Sequence, residues 1–180
     1  YLLLMGSKPS ESELRSFNDL LVAERAVDAS VLDVVAQIAI NPEVHPMDIL
    51  RTGVSLISHQ DSECEDNSAE ADRRKSIRLL AKIPTIIGAS QAARDGRNRD
   101  EPDPELTHAG NLLWLMTGKK PTEIATKVMD VSLILYAEHD FNASTFTCRV
   151  IASTFSDMHS AVCGGIGALK GNLHGGANEA

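Results

Sequence analysis

The chain has 180 residues, of which 43% are hydrophobic and 23% charged, ordinary values for a globular domain with a substantial core. This composition argues against disorder of the whole chain. The formal net charge of −8 argues against a nucleic-acid backbone or an anionic membrane as the main partner, although a local pocket can still bind an anionic metabolite.

The cysteines and the termini bear on where the protein is found. Cys64, Cys148 and Cys163 cannot all pair within one chain and form no Cys-x-x-Cys motif, so we expect reduced thiols in a cytoplasmic protein. No apolar run reaches the roughly 18 residues of a membrane-spanning helix, and no basic-then-apolar leader is present. Since the chain begins with Tyr1, we expect both termini to be cut from a longer chain. Whether a leader peptide preceded it is left open.

Helical signals dominate the first sixty residues. Residues 1–6 are typical of a helix end closed by glycine. Ser10 and Glu13 form a capping box, Ser30 is expected to cap the next helix, and Pro46 suits the first turn of another. The predicted apolar positions are Leu14, Phe17, Leu20 and Leu21, then Val31, Val34, Val35 and Ile38, then Met47, Leu50, Val54 and Ile57.

Two polar loops interrupt the rest of the chain, near 59–70 and 95–104, and both are expected to be solvated. Between them a long helix is predicted from about Ser68 to Arg94, with a bend at Pro84. Its inward positions are expected to be Ile77, Leu80, Ile83 and Ile87. Further helices are predicted over 105–117, 122–136, 142–156 and 157–169.

Sustained β-branched alternation is absent from the sequence, and no repeat recurs at a fixed period. We therefore predict an all-α, multi-helical bundle that forms part of one helical region over residues 1–180. The last forty residues are rich in alanine, serine, threonine and glycine. Small residues permit close helix packing, which we prefer as the role of the Gly164–Gly171 run over a nucleotide-binding loop.

The first candidate site is the C-terminal run His174-Gly175-Gly176-Ala177-Asn178-Glu179. Glycines let the backbone approach a ligand closely, and a histidine can exchange a proton near neutral pH. The pattern is typical of a loop entering a helix, whose free N–H groups attract negative charge. The alternative is a glycine turn that happens to follow a histidine.

A second candidate is the polar run Glu138-His139-Asp140-Phe141-Asn142-Ala143-Ser144-Thr145, which directly follows apolar residues 131–135. Such a cluster beside so apolar a stretch indicates that it caps or binds something. His139 can donate to a carboxylate ligand, and Ser144 can orient a neighbouring histidine. Capping of a helix by Asn142 or Ser144 is the alternative.

Other chemistries find less support. His139, Asp140, Cys148, Asp157, His159 and Cys163 are potential metal ligands, but their spacings match no zinc pattern, and no metal is expected. Glu105-x-x-His108 is one unit of a di-iron bundle that needs two. No serine lies in Gly-x-Ser-x-Gly, so no hydrolase nucleophile is predicted.

Residues 133–180, LILYAEHDFNASTFTCRVIASTFSDMHSAVCGGIGALKGNLHGGANEA, closely resemble the central segment of citrate synthases and 2-methylcitrate synthases. Segments 45–48 (HPMD) and 114–121 (WLMTGKKP) are also similar to that family. The similarity covers most of the chain and is weakest in the two polar loops.

The resemblance implies an all-helical homodimer that condenses acetyl-CoA or propionyl-CoA with oxaloacetate, a reaction of the tricarboxylic acid cycle in the first case. Acyl-CoA is then a substrate, and no permanently bound cofactor is expected. By resemblance, His174 is catalytic and assists enolisation of the acyl thioester. His139 binds oxaloacetate, Ser144 hydrogen-bonds the catalytic histidine, and Asn142 lines the same pocket together with the backbone at Gly175 and Asn178.

Two features limit what the resemblance implies. The family's second pocket histidine, catalytic aspartate and several substrate arginines lie beyond such a segment, so we expect a partial chain that is inactive alone. Tyr136 stands where many citrate synthases have histidine, which leaves the acyl donor open. The alternative function is a non-catalytic helical dimerisation module that keeps the fold without the chemistry.

Overall fold

A computed structural model describes residues 1–178, with the side chains of Ala177 and Asn178 outside the description. These residues form helices and loops without a β-strand, which confirms the all-α prediction. The helices are α1 Leu2–Met5, α2 Glu11–Ala23, α3 Ala29–Ala39, α4 Pro46–Ser58, α5 Ala69–Arg94, α6 His108–Thr117, α7 Glu123–Tyr136, α8 Ala143–Ala152, α9 Met158–Leu169 and the 3-10 helix Gly175–Asn178. None of them is long and apolar enough to cross a membrane.

Local capping signals place most of the helix starts. At α2 the predicted capping box is present: the Ser10 N–H donates to Glu13 Oε2 at 2.8 Å, and the Glu13 N–H donates to Ser10 Oγ at 3.3 Å. At α3 the prediction is wrong by two residues. Asp28 is the cap, and its carboxylate accepts from the Ser30 N–H at 2.8 Å, so Ser30 lies inside the first turn.

The main core lies where α3, α4, α5 and α9 meet. Its most buried members include Val35, Ile49, Val54 and Ile86, each fully shielded from solvent. Helix α5 packs against α2, α3, α4, α6 and α9, so it buries side chains on several faces. The prediction of a single inward-facing apolar stripe on α5 is therefore wrong in part: Leu80, expected inside, is 40% exposed.

Most residues of the loop before α5 are exposed, and charged side chains of that helix hold the loop in place. Arg78 donates two hydrogen bonds of 2.9 and 2.8 Å to the Asp61 carboxylate and one of 2.8 Å to Glu63. Lys75 is fully buried, and its ammonium donates to the Cys64 and Asp66 carbonyls at 3.3 and 2.6 Å. Charged side chains of α5 therefore fix this loop against the helix.

The loop before α6 is held in a similar way. Arg97 donates to the Leu115 and Met116 carbonyls at the end of α6, at 2.7 and 2.6 Å. The Trp114 indole N–H donates to the Glu101 carbonyl at 2.9 Å. Helix α6 begins at His108, later than predicted, because the Thr107 hydroxyl caps it.

Glycines allow the closest helix contacts, as the sequence predicted for the 164–171 run. A Cβ on Gly165 of α9 would lie 2.5 Å from Cys148 Sγ of α8, and one on Gly164 would lie 2.2 Å from Ile151 Cδ1. Between α5 and α6, a Cβ on Gly88 would lie 2.5 Å from Leu115 Cβ. Such distances are shorter than van der Waals contact, so a side chain at any of these positions requires its neighbour to move.

We expect Gly88→Ala to destabilise the chain by about 1–2 kcal/mol, because overpacking at Leu115 outweighs the gain in helix propensity. Gly167→Ala is the matched control, since its Cβ meets only Arg51 at 3.6 Å. We expect this control to be neutral or to stabilise by up to about 1 kcal/mol. Urea unfolding of the two variants checks the pair, and a Gly88→Ala protein as stable as the parent contradicts the packing argument.

Candidate active site

The structure brings together two residues from the candidate segments, although they lie thirty positions apart. His174 Nε2 is 3.0 Å from Ser144 Oγ, and the Ser144 backbone N–H donates to the same ring nitrogen at 3.3 Å. His174 is half-buried. The serine therefore holds the histidine with two groups at once, one from its side chain and one from its backbone.

The backbone donor comes from the first turn of α8. Such N–H groups have no partner inside the helix and must find one elsewhere. Asn142 occupies the capping position but makes no side-chain capping bond. Its carboxamide oxygen instead accepts from the His139 N–H at 3.2 Å. The alternative that the side chain of Asn142 or Ser144 caps α8 is therefore wrong. A free N–H at the start of α8 instead donates to His174.

This contact determines which nitrogen of the neutral His174 ring carries the hydrogen. A nitrogen that accepts from an N–H uses its lone pair and has no proton of its own. Nε2 is that acceptor, so the hydrogen of the neutral ring lies on Nδ1. Among the described residues Nδ1 has no hydrogen-bond partner. The ring thus presents one N–H donor that a ligand can use.

His139 lies beside His174, with ring centroids 5.9 Å apart and planes inclined at 66°. It is exposed and belongs to the turn between α7 and α8. In this turn Asp140 and Phe141 have φ of 62° and 47°, a left-handed conformation that is costly for a bulky side chain. Strained turns of this kind concentrate at functional sites. The two histidines and this turn form the candidate site.

The glycines after His174 return the chain to the end of α9. A Cβ on Gly175 would lie 2.5 Å from the Leu169 carbonyl oxygen, and one on Gly176 would lie 2.7 Å from that of Lys170. The Gly175–Asn178 segment is a single short 3-10 turn. The predicted helix after His174 is therefore described only as far as this turn. The backbone of Asn178, which was predicted to line the pocket, lies in this turn. The side chain of Asn178 lies outside the described residues.

A cavity of about 340 Å³ adjoins the start of α8. It is lined by Phe141, Asn142, Phe146 and Arg149, among others. Arg149 was not singled out from the sequence, because a lone arginine in a helix has no distinguishing spacing. Here it supplies a positive charge to a mostly apolar recess near the candidate site.

A sequence model of the family described as "Citrate synthase, C-terminal domain" matches residues 1–180. A citrate synthase from Heyndrickxia coagulans is 41% identical over 180 residues, which are 100% of this chain and 48% of that protein. A 2-methylcitrate synthase from Mycobacterium tuberculosis is 44% identical over 180 residues, which are 100% of this chain and 45% of that protein. The chain spans about half the length of the curated relatives it matches.

Solved structures show the same likeness. The citrate synthase of Pyrobaculum aerophilum superposes with a TM-score of 0.91 at 34% identity, covering 99% of this chain and 46% of that one. A citrate synthase from Thermoplasma acidophilum, in a ternary complex with carboxymethyl coenzyme A and oxaloacetate, gives 0.91 at 28% identity with the same coverage. These relatives are all synthases, which gives the non-catalytic module no support.

We expect nitrogen NMR of histidine-labelled protein to show the neutral His174 ring with its hydrogen on Nδ1. The exposed His59 serves as a reference in the same spectrum. Ser144→Ala should preserve this tautomer, because the backbone donor remains, while Ser153→Ala on the far end of α8 should change nothing. A neutral His174 that carries its hydrogen on Nε2 contradicts the geometry.

Proposed function

The chain belongs to the citrate synthase family, and from this premise we propose that the protein containing it condenses an acyl-CoA with oxaloacetate and releases CoA. Acetyl-CoA would give citrate, and propionyl-CoA would give 2-methylcitrate. The proposal rests on the two contacts of Ser144 with His174 Nε2. They leave the Nδ1–H of the neutral ring as the donor that a ligand can use. Acyl-CoA acts as a substrate, and the reaction needs no permanently bound cofactor.

The proposed role of His174 follows from its tautomer. The α-hydrogen of a thioester is weakly acidic, so a base must remove it while the carbonyl oxygen gains negative charge. A neutral N–H placed at that oxygen stabilises the enolate without leaving a charge pair behind. The carbon of the enolate then attacks the ketone of oxaloacetate, and water hydrolyses the resulting thioester. The base is expected outside this 180-residue segment.

His139 is the proposed partner of oxaloacetate. Its backbone is tied to Asn142, its ring faces His174, and its side chain is exposed to an incoming ligand. A dicarboxylate bound to this ring would lie next to the proposed enolate position, as a condensation requires. The acyl donor stays open, since a citrate synthase and a 2-methylcitrate synthase match the chain at similar identities, 41% and 44%.

Helix α7 supports a homodimer as a further part of the proposal. It has no buried residue in the isolated chain. Its exposed apolar side chains are Ile124, Val128, Val131, Leu133, Ile134, Leu135 and Tyr136. An apolar surface of this extent is typical of an interface. We assign it to a second copy of the protein, and we place the protein in the cytoplasm, where its three free thiols would stay reduced.

In the full-length enzyme we expect His174→Ala to lower kcat by about 100- to 10,000-fold, the range typical of a lost acid–base group. Stability should change little, because the ring is only half-buried. His59→Ala is the matched control. The assay follows CoA release from acetyl-CoA or propionyl-CoA with oxaloacetate, and near-normal turnover refutes the role. The 180-residue chain alone should release no CoA.

His139→Ala should chiefly raise the KM for oxaloacetate, by about 10- to 100-fold, since a hydrogen bond to a charged ligand is lost. The KM for the acyl-CoA should stay within about twofold. Steady-state kinetics with each substrate varied in turn distinguishes these effects. An unchanged oxaloacetate KM would show that the ring does not bind this substrate.

Ile134→Asp should convert the full-length dimer to a monomer, because it places a charge in the apolar surface of α7. Ile40→Asp is the control: Ile40 is 67% exposed, as Ile134 is 66% exposed, but it lies at the end of α3. Light scattering after size exclusion measures the mass. An Ile134→Asp protein that stays dimeric argues against α7 as the interface.

A further inference from the structure

A second group of reactive side chains lies apart from the residues of the candidate active site. Cys64 of the first polar loop meets Asp157 and His159 at the start of α9, with one potential ligand atom of each inside a 4.8 Å span. Cys64 Sγ is 3.9 Å from His159 Nδ1, and Asp157 Oδ1 is 3.8 Å from the same nitrogen. Thiolate, imidazole and carboxylate are the three ligand types that zinc prefers.

These distances suit a single shared cation. With metal–sulfur and metal–nitrogen bonds of about 2.3 and 2.0 Å, two ligands of a tetrahedral site lie roughly 3.5 Å apart. The two distances to His159 Nδ1 exceed this by a few tenths of an ångström, and all three ligand atoms lie within 4.8 Å of one another, so small side-chain rotations can close the gaps. Asp157 is already oriented, because its carboxylate caps α9 by accepting from the Ser160 N–H at 2.8 Å. A carboxylate retains further lone pairs for a metal.

The surroundings of His159 match those of a ligand histidine. Its side chain is 3% exposed, and its second nitrogen faces Asp61 at 3.6 Å. Ligand histidines usually have such a carboxylate on the nitrogen that does not touch the metal. Arg78 in turn fixes Asp61 through its bidentate contact.

Charge balance also favours a cation here. Lys75 is engaged by Asp72 at 3.0 Å, and Arg78 by Asp61 and Glu63. In the described part of the chain, no lysine or arginine forms an ion pair with Asp157. The thiolate and the Asp157 carboxylate together would neutralise a divalent charge.

We propose that Cys64, Asp157 and His159 bind a divalent zinc-class cation, with Asp61 orienting the imidazole and water completing the coordination. Bound there, the cation links the first polar loop to the start of α9. No metal was expected from the sequence, because the spacings of the candidate ligands, Asp157 and His159 among them, match no zinc pattern, and Cys64 was not among those candidates. The proposal does not depend on the condensation activity.

Cobalt(II) titration of the full-length protein, first stripped with chelator, tests the site. We expect one Co²⁺ per chain and a near-ultraviolet thiolate-to-cobalt charge-transfer band, which Zn²⁺ displaces. Cys64→Ser should abolish this band, and His159→Gln should weaken Co²⁺ binding at least tenfold. Cys148→Ser and Cys163→Ser are matched controls that should retain the band. A missing band, or one that persists in Cys64→Ser, overturns the proposal.

Alkylation of the unsubstituted protein provides a test that does not depend on the folding of a variant. Zn²⁺ should slow the reaction of Cys64 with iodoacetamide at least tenfold while leaving Cys148 and Cys163 unchanged, as peptide mass spectrometry can resolve. Equal protection of all three thiols, or no protection of Cys64, would contradict a site at this position.

Discussion

The close approach of α8 to α9 is the contact on which the candidate active site depends. Gly164 and Gly165 leave room for Ile151 and Cys148, so these side chains of α8 pack directly against the backbone of α9. His174 follows α9 by only a few residues, and the 3-10 turn returns it toward α8. The free N–H of Ser144 therefore meets the imidazole. A wider helix spacing would leave both groups without this partner.

Local signals in the sequence were sufficient for most of the fold. The capping box at Ser10, the proline at the start of α4 and the glycine at the end of α6 each act within one turn, so they can be read without the tertiary structure. The site could be predicted only in part. The contact of the Ser144 backbone N–H with His174 was not predicted, because the packing of α8 on α9 decides which free N–H groups face the imidazole.

The polar loop before α5 shows which contacts sequence patterns leave out at longer range. Its acidic residues are typical of a solvated segment when only their neighbours are considered. The arginines that pair with them, Arg74 and Arg78, lie on α5. If only one face of α5 is expected to be buried, both arginines are assigned to the exposed face. The resulting network buries Lys75 and places Cys64 against α9. No spacing rule within the loop could have predicted this contact.

The candidate site lies at the edge of the chain's own core. Helices α3, α4, α5 and α9 share a continuous buried cluster, whereas α7 and α8 have no buried residue. The turn that joins α7 to α8 carries His139 and the two left-handed residues, one of them a fully exposed phenylalanine. His139 and His174 therefore lie on surface segments, which α9 connects to the buried core through its contacts with α8 and α4.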